Sequence, residues 1–245
     1  MKYMGSKSRI AKEIIPIIQG YIDIQGIKTY IEPFCGGCNI IDKILCDTKR
    51  GYDKQKYLIA LLQNLDKLDC LPNFITKEEY SAVRTCYNNN QDNYEDWYIG
   101  AIGFLASYNG RFFDGGYAGI RTEKNGKERN YFNEAKRNLI KQSENLKDVI
   151  FKCSDFKDLD GFKDCMIYCD PPYFGTKQYN VSRNFDYDYF WEWARKMSEH
   201  NIVLVSEQTG PSDFEVVWEQ NIKRTLDYSK KLVVTEKLFK YKKAP

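Results

Sequence analysis

The sequence predicts an open α/β fold, a doubly wound and mostly parallel sheet interrupted by a mainly helical insert. Three observations carry this. Short β-type apolar runs, Thr29-Tyr30-Ile31-Glu32 and Met166-Ile167-Tyr168, each end in a tight loop followed by helical patterning. The strand rhythm stops near Leu71-Pro72-Asn73 and returns only at Val149. Between these points helical patterns dominate, so residues 1–75 and 147–245 are expected to build one domain, with 76–146 inserted into it. A chain of 245 residues is long enough to bury a real core in this way.

Taken in order, Lys2 to Arg9 reads as a small-residue loop entering a helix, with Ser6 or Ser8 as N-cap and Ile10, Ile14 and Ile15 on one face. Pro16 is expected to break that helix. Thr29 to Glu32 is a strand, Pro33-Phe34-Cys35-Gly36-Gly37-Cys38 a tight turn, and Asn39 to Cys46 a helix with Ile40, Ile41, Ile44 and Leu45 apolar. Glycines in such a turn let the backbone approach a ligand. Gly51-Tyr52 then leads to Asp53, 21 positions beyond Glu32, close to the spacing at which a doubly wound fold sets an acid on a ribose hydroxyl. The turn is not G-x-G-x-x-G and no phosphate-binding series follows it. A nucleoside-containing ligand without a pyrophosphate therefore suits it better than a dinucleotide.

A helix from Lys54 to Leu68 carries Leu58, Leu61, Leu62 and Leu65 inward. The insert follows, centred on the loop-rich stretch from Tyr108-Asn109-Gly110-Arg111 to Gly116-Tyr117, which mixes Arg, Asn and aromatic residues. Val149 to Lys152 restores a strand, and Asp155 just past it either accepts from a ligand amine or caps the next turn.

The strand Met166-Ile167-Tyr168 breaks into Cys169-Asp170-Pro171-Pro172-Tyr173. Consecutive prolines fix φ and remove two backbone donors, so carbonyls there stay free to accept from a ligand. Asp170 and the Pro171 carbonyl are placed to draw on an amine conjugated to a planar ring, with Tyr173 against its face. The alternative is a Pro-Pro turn with a capping Asp and a core Tyr. Gly175 to Asn184 is polar, Tyr187 to Glu199 a helix with Phe190, Trp191 and Ala194 as core contacts, and Ile202 to Val205 a buried strand ending at Ser206-Glu207. Strands around Lys231 to Val234 and Lys237 to Phe239 close the chain. Glycine turn, strand-end acids and the Asp170 loop would fall on one edge of one sheet, where open α/β sheets bind ligands.

Net charge is only +3, but it is unevenly spread. Arg121 to Lys152 holds nine basic against five acidic residues and Lys223 to Lys243 eight against two, whereas Asp186 to Glu219 holds eight acids against two bases. Such asymmetry suits a polyanion meeting one face, though lysine-rich faces are also simply solvated. No apolar run approaches the roughly 20 residues that span a bilayer, and Met1-Lys2-Tyr3 does not open a signal peptide, so a soluble, cytoplasmic protein with reduced thiols is expected. Cys35, Cys38, Cys165 and Cys169 could be drawn as a zinc set, but the first pair brackets two glycines and the second lies along a strand.

In their order, Tyr3-x-Gly5-x-Lys7, Glu32-Pro33-Phe34-x-Gly36-Gly37, Asp53, Asp155-Phe156, Asp170-Pro171-Pro172-Tyr173 and the segment from Phe185-Asp186 to Ser206-Glu207 resemble the Dam-type DNA adenine N6-methyltransferases, in particular small phage-encoded members. The resemblance covers nearly the whole chain and implies a Rossmann-like S-adenosylmethionine-dependent methyltransferase fold with an inserted target-recognition domain. It implies further that Tyr3, Gly5 and Lys7 contact the amino-acid end of S-adenosylmethionine, with Glu32, Phe34, Gly36, Gly37 and Phe156 around it. Asp53 would hold its ribose and Asp155 its adenine amine. Asp170, Pro171, Pro172 and Tyr173 would position a target adenine flipped out of double-stranded DNA, with no metal. Asn109, Arg111 and Arg129 are the candidate DNA contacts, since Arg suits guanine and Asn adenine edges; Asn109 and Arg111 could equally tie down their own loop. Cys38 stands where many relatives have a third glycine, and ordinary φ/ψ is expected there. Asp rather than Ser at position 170 argues against a cytosine N4 enzyme, the insert and that Asp against an RNA or protein-glutamine methyltransferase, and the intact motif set against a non-catalytic DNA-binding regulator.

Overall fold

Short β-branched and aromatic runs form the strands: β1 (Thr29–Glu32), β2 (Thr48–Asp53), β3 (Ile120–Thr122), β4 (Glu128–Asn130), β5 (Val149–Cys153), β6 (Cys165–Cys169), β7 (Ile202–Glu207), β8 (Phe214–Asp227) and β9 (Lys230–Tyr241). The helices are α1 (Ala11–Gln25), α2 (Lys56–Gln63), α3 (Lys77–Asn88), α4 (Asp96–Leu105), α5 (Tyr131–Ser143) and α6 (Tyr187–Ser198). The structure, a computed structural model, describes residues 1–123, 125–173, 185–227 and 230–242. The polar stretch expected from Gly175 to Asn184 lies outside them. The chain divides into two compact units, one of residues 1–13, 36–43 and 55–153, the other of residues 14–35, 44–54 and 154–245.

Among the described residues the principal sheet has seven strands, six of them in the second unit in the order β2-β1-β6-β7-β9-β8. Strands β2, β1, β6 and β7 are parallel, with Glu32 opposite Gly51, Ile31 opposite Ile167 and Cys169 opposite Val205. Strand β9 runs antiparallel to β7, and β8 antiparallel to β9. This is a Rossmann-like α/β fold, and strand order reverses at β1 and β6, the crevice where doubly wound sheets take ligands. Ile31, Ile167, Cys169, Val203 and Val205 pack with Phe190, Trp193, Ala194 and Met197 of α6. Those α6 positions recur at helical spacing, so one face of the helix is apolar and covers the sheet.

In the first unit α4 is the buried centre, with every residue from Ile99 to Leu105 buried. A helix apolar all round must be enclosed. Tyr57 of α2 stacks on Phe112, and Tyr80, Tyr87, Phe113 and Tyr117 extend that aromatic cluster. Among the described residues no helix is long and apolar enough to cross a membrane.

Several expectations are corrected. Pro16 lies inside α1 rather than ending it. Ile14, Ile18 and Ile22, four apart and buried, hold the helix together across the missing N–H. Asn39 to Cys46 contains only a 3₁₀ turn, Ile41–Lys43, because Leu45 is 77% exposed and offers no continuous apolar face. The helix expected to Leu68 ends at Gln63 and passes into a 3₁₀ segment, Leu65–Cys70. The region between α4 and α5 contains the antiparallel pair β3 and β4, whose mostly polar, largely exposed residues give no period-two apolar signal. The two closing strands are one strand, β9, and its long antiparallel partner β8 is an element the local pattern does not predict.

Candidate active site

Because β1, β2, β6 and β7 are parallel, Glu32, Asp53, Cys169 and Glu207 end their strands on the same edge. The loop leaving β1 is fastened there: the Cys35 N–H donates to the Tyr52 carbonyl at 2.8 Å. Phe34 then meets Phe156 at 5.5 Å, Phe190 at 5.8 Å and Phe185 at 5.9 Å between ring centres. Glu32 is buried and accepts from the Tyr30 hydroxyl at 2.7 Å; burial and this carboxylate hold that hydroxyl protonated well above its usual range. At the end of β2, the Asp53 carbonyl accepts from the Ser154 N–H at 3.1 Å. Asp155 caps the 3₁₀ turn Phe156–Asp158, its Oδ1 accepting from the Lys157 N–H at 3.1 Å.

Beyond β6 come half-buried Asp170, buried Pro171 and buried Tyr173. The Tyr173 hydroxyl donates to Glu236 Oε2 on β9 and lies 3.3 Å from Ser206 Oγ on β7. Burial, then Asp170 and Glu236, raise the Tyr173 hydroxyl well above its usual pKa. Burial and Asp170 also push the Cys169 thiol up, which makes it a poor nucleophile. Local pattern gives Glu236 little signal: it is one of two acids in the basic segment Lys223 to Lys243.

In the first unit Tyr3 lies on the glycine turn. A Cβ added at Gly36 would come within 2.9 Å of the Tyr3 ring, and one at Gly37 within 2.7 Å of Tyr3 Cβ. Only glycine allows this approach. Tyr3 also packs on Phe104, 5.8 Å between ring centres. Gly5 has φ +81°, Ser6 caps the 3₁₀ turn Lys7–Arg9, and Lys7 is buried. Buried Gln142 of α5, missed in the sequence, donates to the Gly37 and Cys38 carbonyls and to Asp42 Oδ2, at 3.0–3.1 Å. Cys38 departs from the ordinary conformation expected of it: its φ is +56°, the region a glycine would occupy most easily.

Of the candidate DNA contacts, Asn109 is exposed with φ +56°, and Arg111 is half-buried in a loop closed by bonds from Gly115 N–H to the Arg111 carbonyl (3.0 Å) and from Tyr108 N–H to the Gly116 carbonyl (3.0 Å). Arg129 grips Glu134 with two bonds, 2.6 and 2.8 Å, and lies over the Tyr131 ring. The Arg129 guanidinium holds the Glu134 carboxyl down at about 2. Among the described residues no cluster of three or more His, Cys, Asp or Glu is arranged to hold a metal.

The type II methyltransferase M.MjaIII of Methanocaldococcus jannaschii is 26% identical to this chain over 203 residues, covering 71% of this chain and 68% of that protein. The type II methyltransferase M.FokI of Planomicrobium okeanokoites is 25% identical over 199 residues, 72% of this chain, which spans 29% of M.FokI's length. The family described as D12 class N6 adenine-specific DNA methyltransferase matches residues 3–240. That range takes in the Tyr3 loop, the glycine turn, the strand-end acids and the Asp170 loop together, and the chain therefore belongs to the D12 class N6 adenine-specific DNA methyltransferases.

Proposed function

We propose that the protein is a site-specific, Dam-type enzyme of the small phage-like kind, using S-adenosylmethionine to methylate N6 of an adenine flipped out of double-stranded DNA. The observation that carries this reading is the position of Asp170-Pro171-Pro172-Tyr173, at the carboxyl end of β6 beside that of β1. The residues present suit the donor's parts. A buried lysine, Lys7, suits a carboxylate; the strand-end carboxylate Asp53 suits a sugar diol; the rings of Phe34 and Phe156 suit a flat adenine; Asp155 suits its amine. Tyr3, Gly5, Glu32, Gly36 and Gly37 complete the cofactor set in this reading.

S-adenosylmethionine supplies, when bound, a sulfonium methyl that an amine can accept directly. The chain's own task is alignment. Asp170 and the Pro171 carbonyl accept from the target amine and stabilise positive charge developing on it, while Pro172 keeps the loop rigid. Tyr173 stacks on the flipped ring and offsets the few kcal/mol spent in unstacking it. Holding amine and methyl in line accounts for much of the rate. Residues 76–146 act as the target-recognition domain, with Asn109, Arg111 and Arg129 among its DNA contacts. The kinship with two type II methyltransferases supports a place in restriction-modification.

Modification-sensitive sequencing of DNA from cells expressing the protein tests the reading, with N6-methyladenine in one sequence context as the expected result. Asp170→Ala is expected to abolish the mark and leave the S-adenosylmethionine dissociation constant within about twofold, because the carboxylate acts on the target amine. Methylcytosine, or full activity of Asp170→Ala in a labelled-methyl assay, would overturn it.

A further inference from the structure

Tyr173 is held at both ends. On one side Pro171 and Pro172 restrict the backbone that delivers it. At the other its hydroxyl reaches two side chains from different strands, donating to Glu236 Oε2 and lying 3.3 Å from Ser206 Oγ. The pleat explains why these two meet. Ser206 of β7 is paired with Leu238 of β9, so both point to one face of the sheet. Glu236, two residues from Leu238, shares that face and is the diagonal neighbour of Ser206.

All three side chains are enclosed: Tyr173 is 7% exposed, Glu236 4% and Ser206 0%. A carboxyl group in such a place is a burden on folding unless hydrogen bonds compensate it, and an apolar residue at 236 would serve the core more simply. The neighbouring Leu238 and Phe239 are what this part of β9 otherwise buries. Among the described residues, Glu236 aims this buried carboxylate at the Tyr173 hydroxyl and so ties β9 to the Asp170 loop.

We propose that Glu236, with Ser206, is a positioning residue that fixes the hydroxyl end of Tyr173 and thereby sets the ring for stacking on the target adenine. This rests on the stacking role given to Tyr173 above. In this arrangement Glu236 and Ser206 act on the target through the Tyr173 ring.

The test compares Glu236→Leu, Glu236→Gln, Tyr173→Phe and the double variant Tyr173→Phe/Glu236→Leu. The readouts are methyl transfer to unmethylated genomic DNA, calorimetric binding of S-adenosylmethionine, thermal midpoint, and fluorescence of a duplex carrying 2-aminopurine at the mapped target adenine. Glu236→Leu and Tyr173→Phe are each expected to lower kcat about tenfold, the scale of a small misplacement near the chemistry. Glu236→Gln keeps an acceptor oxygen and should lose only about threefold. The double variant should be no worse than either single one, because both remove the same contact. Cofactor affinity should stay within about twofold, and the 2-aminopurine signal should fall in step with kcat.

Wild-type kcat in both single variants, or losses that multiply in the double, would overturn the positioning role while leaving the enzyme's function standing. A wild-type protein that methylates no adenine would sink the functional reading and this inference with it. Should Glu236→Leu fail to fold, Glu236→Gln and Tyr173→Phe still decide, since equal, wild-type rates and fluorescence in both would count against the contact.

Discussion

Cys38 shows how much one backbone angle can hide from the sequence. Its φ of +56° costs an L-residue about 1–2 kcal/mol, and local pattern offers no reason to expect it. Enclosure explains its persistence. The side chain is fully buried with Sγ 3.7 Å from the Gly36 carbonyl, and Gln142 holds the Cys38 carbonyl at 3.0 Å from a helix 104 positions away. Arg129 is a second case. Read from sequence as a DNA contact, it is also committed to Glu134, with Lys2 adding a bond to the same carboxylate at 3.1 Å. Glu134 should therefore titrate near 2, and Arg129→Gln should raise it toward the ordinary carboxylate range, read by NMR of the side-chain carboxyl. The folded pKa is depressed, so the pair's stabilisation is present above the ordinary carboxylate pKa and lost as pH falls toward 2. Solvent screening keeps that contribution small. An ordinary carboxylate pKa in the wild type would contradict the pairing.

At the scale of elements, helix against helix turns on glycine. A Cβ at Gly100 of α4 would sit 2.1 Å from the Tyr57 carbonyl oxygen of α2, a backbone atom that cannot swing away. Gly100→Ala should destabilise the protein by about 3 kcal/mol, at the upper end of overpacking costs, measured as a lowered urea midpoint with unchanged slope. A midpoint within error of wild type would show that α2 and α4 are not packed as described. Sequence periodicity read α6, β1, β6 and β7 to within a residue or two, because each has a one-sided or continuous apolar pattern that local spacing reports. It failed at α1, where a proline is carried by tertiary burial, and at β3, β4 and β8. Strand β8 mixes charged and apolar residues as Glu215-Val216-Val217-Trp218-Glu219-Gln220, and what makes it a strand is the register with β9, from Phe214 opposite Tyr241 to Asp227 opposite Lys230.

For the whole molecule, the charge asymmetry suits a polyanionic substrate, and DNA is the substrate of this family. Binding to non-cognate duplex should weaken linearly in a log–log plot against salt, with slope about −0.9 for each phosphate neutralised, measured by fluorescence anisotropy. A slope near zero would mean that the basic segments do not meet the backbone. Short-range pattern and the chemistry of Gly, Pro and Asp account for the fold class, the order of the motifs and the strand ends that carry Glu32, Asp53 and the Asp170 loop. The partners that hold those residues are a matter of long-range packing. Glu236 reaches Tyr173 across 63 positions and Gln142 reaches Gly37 across 105. Such pairings are chosen by strand order, register and burial, which bring distant residues to one face and leave no periodic trace along the chain.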